Sequence, residues 1–75
     1  MTAYRPLMKT DIFESDPFSG SKGAHLASMD TDYRFEKNDE VFLNTGGRRL
    51  KVRITYVRLE WTGDGLTREL LAMKL

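Results

Sequence analysis

Arg48, Arg49, Lys51, Arg53 and Arg58 place five of the chain's twelve basic residues within eleven positions. Through the same stretch Leu50, Val52, Ile54 and Tyr56 alternate with Lys51, Arg53 and Thr55. Strict alternation of apolar and polar side chains marks a half-buried β-strand. On such a strand Arg49, Lys51 and Arg53 share one side and stand roughly 6–7 Å apart, close to the phosphate spacing of a nucleic-acid strand. Tyr33, Phe35, Phe42, Tyr56 and Trp61 offer rings on which bases could stack. A charged outer face is also ordinary in small β proteins, and basic residues on an edge strand oppose aggregation. Both readings stand at this level.

Other constellations carry less chemistry. A Ser/His/Asp set can be assembled from Ser19 or Ser21, His25 and Asp30, but no strained nucleophile elbow frames either serine, and an enzyme is not expected. Asp30-Thr31-Asp32 resembles the start of a calcium loop without its glycine or its distant bidentate glutamate. His25 is the sole histidine and there is no cysteine, so neither a metal nor another cofactor is expected. Gly20-Ser21-Lys22-Gly23 sets backbone amides beside a lysine. It reads either as a phosphate contact through Lys22 or as a surface turn; the spacing is not that of a phosphate loop.

The basic strand is one arm of a hairpin. Val41-Phe42-Leu43 leads into Asn44-Thr45-Gly46-Gly47, whose glycines supply the positive φ angles of a tight turn. At Tyr56-Val57 the alternation slips by one, so that Val57, Leu59 and Trp61 take the phase that Lys51 and Arg53 held. Such a slip marks a β-bulge. Thr62-Gly63-Asp64-Gly65 turns the chain into a final apolar stretch, Leu66 to Leu75, in which Glu69–Met73 is equally compatible with a helix. Upstream, Tyr4–Met8 reads as a short edge strand, His25–Met29 as a second strand, and Thr10–Glu14 as a helical turn with Thr10 as N-cap and Asp16-Pro17 as its stop.

These elements make a single small domain over residues 1–75. It is β-dominated α+β, a barrel or curled sheet of five or six strands with one short N-terminal helix. The expected core is Leu7, Ile12, Phe13, Phe18, Leu26, Phe35, Val41, Leu43, Leu50, Val52, Ile54, Leu71 and Met73. At 75 residues the core is small, and either a monomer or a homodimer is compatible with it. No signal-like or membrane-spanning apolar run occurs, and the lack of cysteine fits a reducing compartment; a cytoplasmic location is expected. The net charge of +1 conceals a split: residues 11–40 hold eight acids against three bases, and residues 41–75 seven bases against three acids. The halves either pair across the fold or form a polar binding surface.

Three segments, in order and spacing, resemble the ASCH domain, a branch of the PUA-like superfamily of small barrels. Phe18-Ser19-Gly20-Ser21-Lys22 is similar to the family's apolar-x-x-Gly-x-Lys turn after the first helix, with one residue fewer between the apolar position and the glycine. Phe35–Leu43 is similar to the segment around Gly-Asp that opens the central strand, and Leu50–Val57 to the strand that follows. The chain resembles short ASCH-like proteins of phage and bacterial genomes. Asn38 stands in place of the usual glycine, which requires a positive φ at an asparagine, and Gly23-Ala24 replaces the usual Thr or β-branched residue. The resemblance implies a barrel whose cleft binds RNA or a modified base. Some members hydrolyse an acetylated cytidine with the lysine of this turn, a threonine and a glutamate. Lys22 matches the lysine, Ala24 stands where the threonine would be, and Glu60 is the remaining candidate for the acid, so the hydrolytic set is not retained.

Two functions follow as expectations. One is a nucleic-acid-binding module, RNA above all, with Lys22, Arg48, Arg49, Lys51 and Arg53 on phosphates. The other is a small phage- or plasmid-type regulator that binds a host protein through the acidic segment 30–40.

Overall fold

The computed structural model describes residues 7–75. Five strands follow one another: β1 (Met8–Ser15), β2 (Lys22–Thr31), β3 (Glu40–Thr45), β4 (Arg48–Thr62) and β5 (Gly65–Lys74). They form one sheet in the order β2-β1-β5-β4-β3, curled into a half-barrel with no helix among the described residues. β3, β4 and β5 make an antiparallel meander, β1 pairs with β5 in parallel, and β2 returns antiparallel beside β1. β4 has 15 residues; at about 3.3 Å per residue it runs the length of the molecule, which measures 44 Å along its long axis.

The β3–β4 hairpin forms as its turn chemistry dictates. Gly46 and Gly47 occupy the two central positions with φ of 58° and 76°, closing Thr45 onto Arg48. Ahead of it, Asn38 takes φ 79°, the left-handed backbone that asparagine tolerates better than most residues. That turn clips onto the central strand: Asn38 N–H donates to the Ile54 carbonyl at 2.7 Å, and Ile54 N–H to the Asp39 carbonyl at 2.8 Å.

Side chains on the concave face of the sheet make the core. Ile12, Val52, Ile54, Leu70 and Ala72 are completely buried and Leu43 nearly so, with Leu26, Ala27, Met29, Phe35, Val41, Leu50 and Val57 packed against them. The register aligns these residues. Ile12 stands beside Ala27 and Leu70, Ile54 beside Ala72, and Val52 beside Val41. The slip expected near Tyr56 is a bulge: Ile54 pairs with Ala72 but Tyr56 with Leu71, leaving Thr55 as the extra residue. Its hydroxyl donates to the Leu71 carbonyl at 3.2 Å, supplying a bond where the ladder is interrupted. A second irregularity lies where β2 crosses the end of β1. There Gly23 passes so close that a Cβ would stand 3.0 Å from the Glu14 carbonyl oxygen.

Several expectations are corrected. Thr10–Glu14 is the middle of β1 and not a helical turn, because it lies between two strands and its alternate residues Thr10 and Ile12 are fully buried. That tertiary demand outweighs the local capping signal. The stretch at Glu69–Met73 is strand, and its buried phase is Leu70 and Ala72; Leu71 faces outward and Met73 is exposed. Phe13 sits on the outer face against His25, Leu7 is exposed, and Phe18 is 98% exposed in the loop after β1. The strand expected over Tyr4–Met8 lies, apart from Leu7 and Met8, outside the described residues.

Ile54→Ala should destabilise the domain by about 2–5 kcal/mol through the cavity it leaves, and Ile54→Asp should abolish cooperative melting because a carboxylate would be buried unpaired. Chemical denaturation followed by circular dichroism measures both; a near-normal melt of Ile54→Asp would contradict the register. At Asn38, Gly should be neutral or stabilising and Val should cost about 1–2 kcal/mol, since only the latter opposes the positive φ.

Candidate nucleic-acid interface

Because Leu50, Val52 and Ile54 face the core, the residues between them face outward. In register, Arg49 stands beside Asn44, Lys51 beside Phe42, and Arg53 beside Glu40. The Arg49 guanidinium lies 4.0 Å above the centroid of the Phe42 ring, and the Lys51 ammonium is 5.7 Å from the same ring. A half-exposed phenyl ring thus forms a floor under two cations, and cation–π attraction favours that arrangement. Glu40 bridges the next pair, 2.9 Å from Lys51 Nζ and 3.1 Å from Arg53 Nη2. Hydrogen bonds from Lys51 and then Arg53 hold the Glu40 carboxyl below its usual range. Two of the strip's charges are therefore shared with an internal carboxylate.

The bulge at Thr55 extends the strip. Before it the outward positions of β4 are odd-numbered, and after it they are even, so Tyr56 and Arg58 continue the face of Arg49, Lys51 and Arg53. Without the bulge, Tyr56 and Arg58 would turn toward the core. Beside them a shallow groove of about 410 Å³ is lined by Ser15, Gly20, Thr55, Tyr56, Arg58 and Leu71. Its far wall belongs to the loop between β1 and β2, which Asp16 organises. The Asp16 carboxylate accepts the backbone N–H groups of Phe18 and Ser19 at 2.7 and 3.1 Å, and those bonds, Ser19's first, lower its pKa. Phe18 projects from this loop into solvent.

Of the residues singled out from sequence, Arg49, Lys51 and Arg53 are brought together. Arg48 sits beside the turn on the other phase of the hairpin, paired with Thr45, so it lies at the end of the strip and not within it. Lys22 is separate. It starts β2, stacks over the Phe13 ring at 4.4 Å and pairs with Glu69 at 3.1 Å. Glu69 also stands 4.0 Å from Arg58, so Lys22 joins the outer face through that carboxylate. The aromatic set divides: Phe42 and Tyr56 share the basic face, whereas Trp61 lies in the core phase of β4 and Phe35 packs against the core with Tyr33 edge-on at 4.8 Å. Sequence reasoning grouped Arg58 with the outward basic residues but left it out of the phosphate contacts, and it missed Phe18's exposure. Arg58's place was legible in the slip at Tyr56-Val57; Phe18's exposure had no local signal.

A serine, a histidine and an aspartate do meet on the outer face, but they are Ser28, His25 and Asp11. Ser28 Oγ donates to Asp11, and His25 Nε2 lies 2.7 Å from Ser28 Oγ and 3.4 Å from Asp11. One ring nitrogen faces both partners, so the aspartate does not orient the far nitrogen of the ring as a proton relay requires. The set anchors β2 to β1. The Ser28 hydrogen bond, with help from His25, lowers the Asp11 pKa. Among the described residues no group of three or more His, Asp and Glu is placed to hold a metal ion.

Asp11, Asp16 and Glu40 all have folded pKa values below their ordinary values of 3.8, 3.8 and 4.5. Their contributions are complete above those ordinary values and are lost as pH falls through the depressed ones. The melting temperature should hold steady from neutral pH down to about 5 and then fall. Glu40→Gln should remove part of that fall, and thermal melts across pH 2–7 with an unchanged acid limb would contradict the Glu40 assignment. Comparison with family models, with curated proteins and with solved structures gave no match to this chain.

Proposed function

We propose that this domain binds single-stranded nucleic acid, RNA in the first instance, along the outer face of β4. The observation that carries the reading is the joint placement of Arg49, Lys51, Arg53 and Arg58 on one side of a single strand, with the Phe42 and Tyr56 rings exposed among them. Cations at this spacing match a phosphate backbone, and exposed rings between them accept bases of any identity. Lys22, paired with Glu69, borders this surface beside Arg58, whereas Arg48 lies on the other phase of the hairpin and outside it.

The ASCH-type, PUA-like assignment is part of this proposal and rests on the sequence pattern. Asn38 adopts the positive φ that the pattern requires where its glycine is usual. The helix expected before the Gly-x-Lys turn is a strand here. The regulator reading has less support, because two acids of segment 30–40 are engaged internally: Glu40 by Lys51 and Arg53, and Asp39 by the Glu36 backbone.

Fluorescence anisotropy of labelled 12-mers of uridine and thymidine, across a salt series, tests the proposal. Four phosphate contacts on a single strand should give a slope of about −3 in log affinity against log salt. Phe42→Ala should weaken binding about tenfold, as loss of one stacked base would. Reversing Arg49, Lys51 and Arg53 to Glu should abolish binding without unfolding the domain. If wild type binds neither oligomer at low salt, or the reversed variant binds as well as wild type, the proposal fails and segment 30–40 becomes the surface to examine.

A further inference from the structure

Arg68 is the one charged residue buried among the described residues, at 5% exposure. It sits on the core phase of β5, opposite Leu59 and beside Thr10, on the face of the sheet away from the basic strip. Its Nε and Nη2 both donate to Thr10 Oγ1, at 3.1 and 3.0 Å, and that hydroxyl in turn donates to the Met8 carbonyl at 3.1 Å. The guanidinium lies 5.0 Å from the Phe35 ring centroid. No carboxylate of the described residues comes within ion-pair distance of it. Residues 1–6 contain no Asp or Glu.

An arginine does not escape this position by losing its proton, and a buried cation is unfavourable unless an anion compensates it. The geometry also defines where the anion goes. Thr10 occupies the side of the guanidinium formed by Nε and Nη2. The end formed by Nη1 and the second N–H of Nη2 has no partner among the described residues, and since no buried side-chain nitrogen there lacks one, this end is open to solvent. That end is one of the two edges on which guanidinium accepts a carboxylate in bidentate fashion. Arg68 lines a cavity of about 370 Å³, within the range of small-molecule sites, whose other walls are Met8, Arg34, Phe35, Glu36, Val57 and Leu59. Four of these six are apolar, Arg34 adds a second cation, and Glu36 forms no ion pair with either arginine within 4 Å.

We propose that this cavity binds a small organic carboxylate, its oxygens on the free end of Arg68 and its apolar or aromatic body between Phe35, Val57 and Leu59. The site is separate from the nucleic-acid surface, and its test does not depend on that reading.

The test uses the full chain and two-dimensional NMR, with benzoate, benzamide, acetate and inorganic phosphate as probes. Benzoate should shift the Arg68 Nε–H and the amides of Phe35, Val57 and Leu59 saturably, with affinity at least tenfold above benzamide and acetate. Arg68→Met should lose that binding. Leu59→Glu provides an independent arm should Arg68→Met fail to fold. It sets a carboxylate directly opposite Arg68, and it should raise the melting temperature and displace benzoate. Equal shifts from benzamide, or none from benzoate, overturn the proposal. Tighter binding of phosphate than of benzoate overturns the carboxylate assignment. A Leu59→Glu variant that melts lower and still binds benzoate overturns the placement. A Glu36→Gln variant that melts several degrees lower, in a chain that benzoate does not shift, identifies Glu36 as the internal partner of Arg68 instead.

Discussion

Thr55 gives β4 one residue more than β5 can pair, and most of what distinguishes the two faces of this sheet depends on that insertion. Had the ladder continued unbroken from Ile54 and Ala72, Tyr56 would face Leu70, Arg58 would face Arg68, and Glu60 would face Leu66, all on the core side. Two like charges directly opposite one another are destabilising, the more so in a core. With Thr55 set aside, Val57 meets Leu70 and Leu59 meets Arg68, while Tyr56 and Arg58 rotate outward. The Thr55 hydroxyl, bonded to the Leu71 carbonyl, occupies the gap in the ladder.

The two faces then acquire different chemistry from the same strand. Outside, cations stand in a row with Phe42 and Tyr56 among them, moderated by Glu40 and Glu69. Inside, the half of β4 before the bulge builds the core with Val52 and Ile54. Beyond Val57, which packs against the core, the strand runs past it, leaving Leu59 and Trp61 and the facing Leu66 of β5 exposed and Arg68 at the boundary between packed and open. Thr10 fixes Arg68 there. Threonine suits a helix N-cap, but it is β-branched and suits the strand found here equally well.

The parts of this architecture legible in the sequence are those set by local chemistry. Gly46 and Gly47 force the hairpin, the alternation from Leu50 to Tyr56 separates its faces, and the slip at Tyr56-Val57 announces the bulge. The parts that were not legible depend on neighbours distant in the chain. Thr10–Glu14 carries a plausible cap and acids in its first turn, and only its position between β2 and β5 makes it a strand. Glu69–Met73 is apolar on both phases, so its buried side is decided by the partner register across the bulge. The basic strip was readable because alternation is a local property. Its neutralisation by Glu40, and the placement of Lys22 beside Glu69, arise from pairing between strands. Arg68 had no local signal, since a lone arginine on a strand reads as surface until its phase is known.

The central claim is that the insertion at Thr55 sets the phase of β4, and cross-strand nuclear Overhauser contacts in the isotopically labelled chain test it most directly. The account predicts backbone contacts joining Ile54 to Ala72, Tyr56 to Leu71, Val57 to Leu70 and Leu59 to Arg68, with Thr55 lacking a partner directly opposite. Contacts joining Tyr56 to Leu70 and Arg58 to Arg68 would show an unbroken ladder. They would place Arg58 on the core side and contradict both the continuous outer strip and the setting of Arg68.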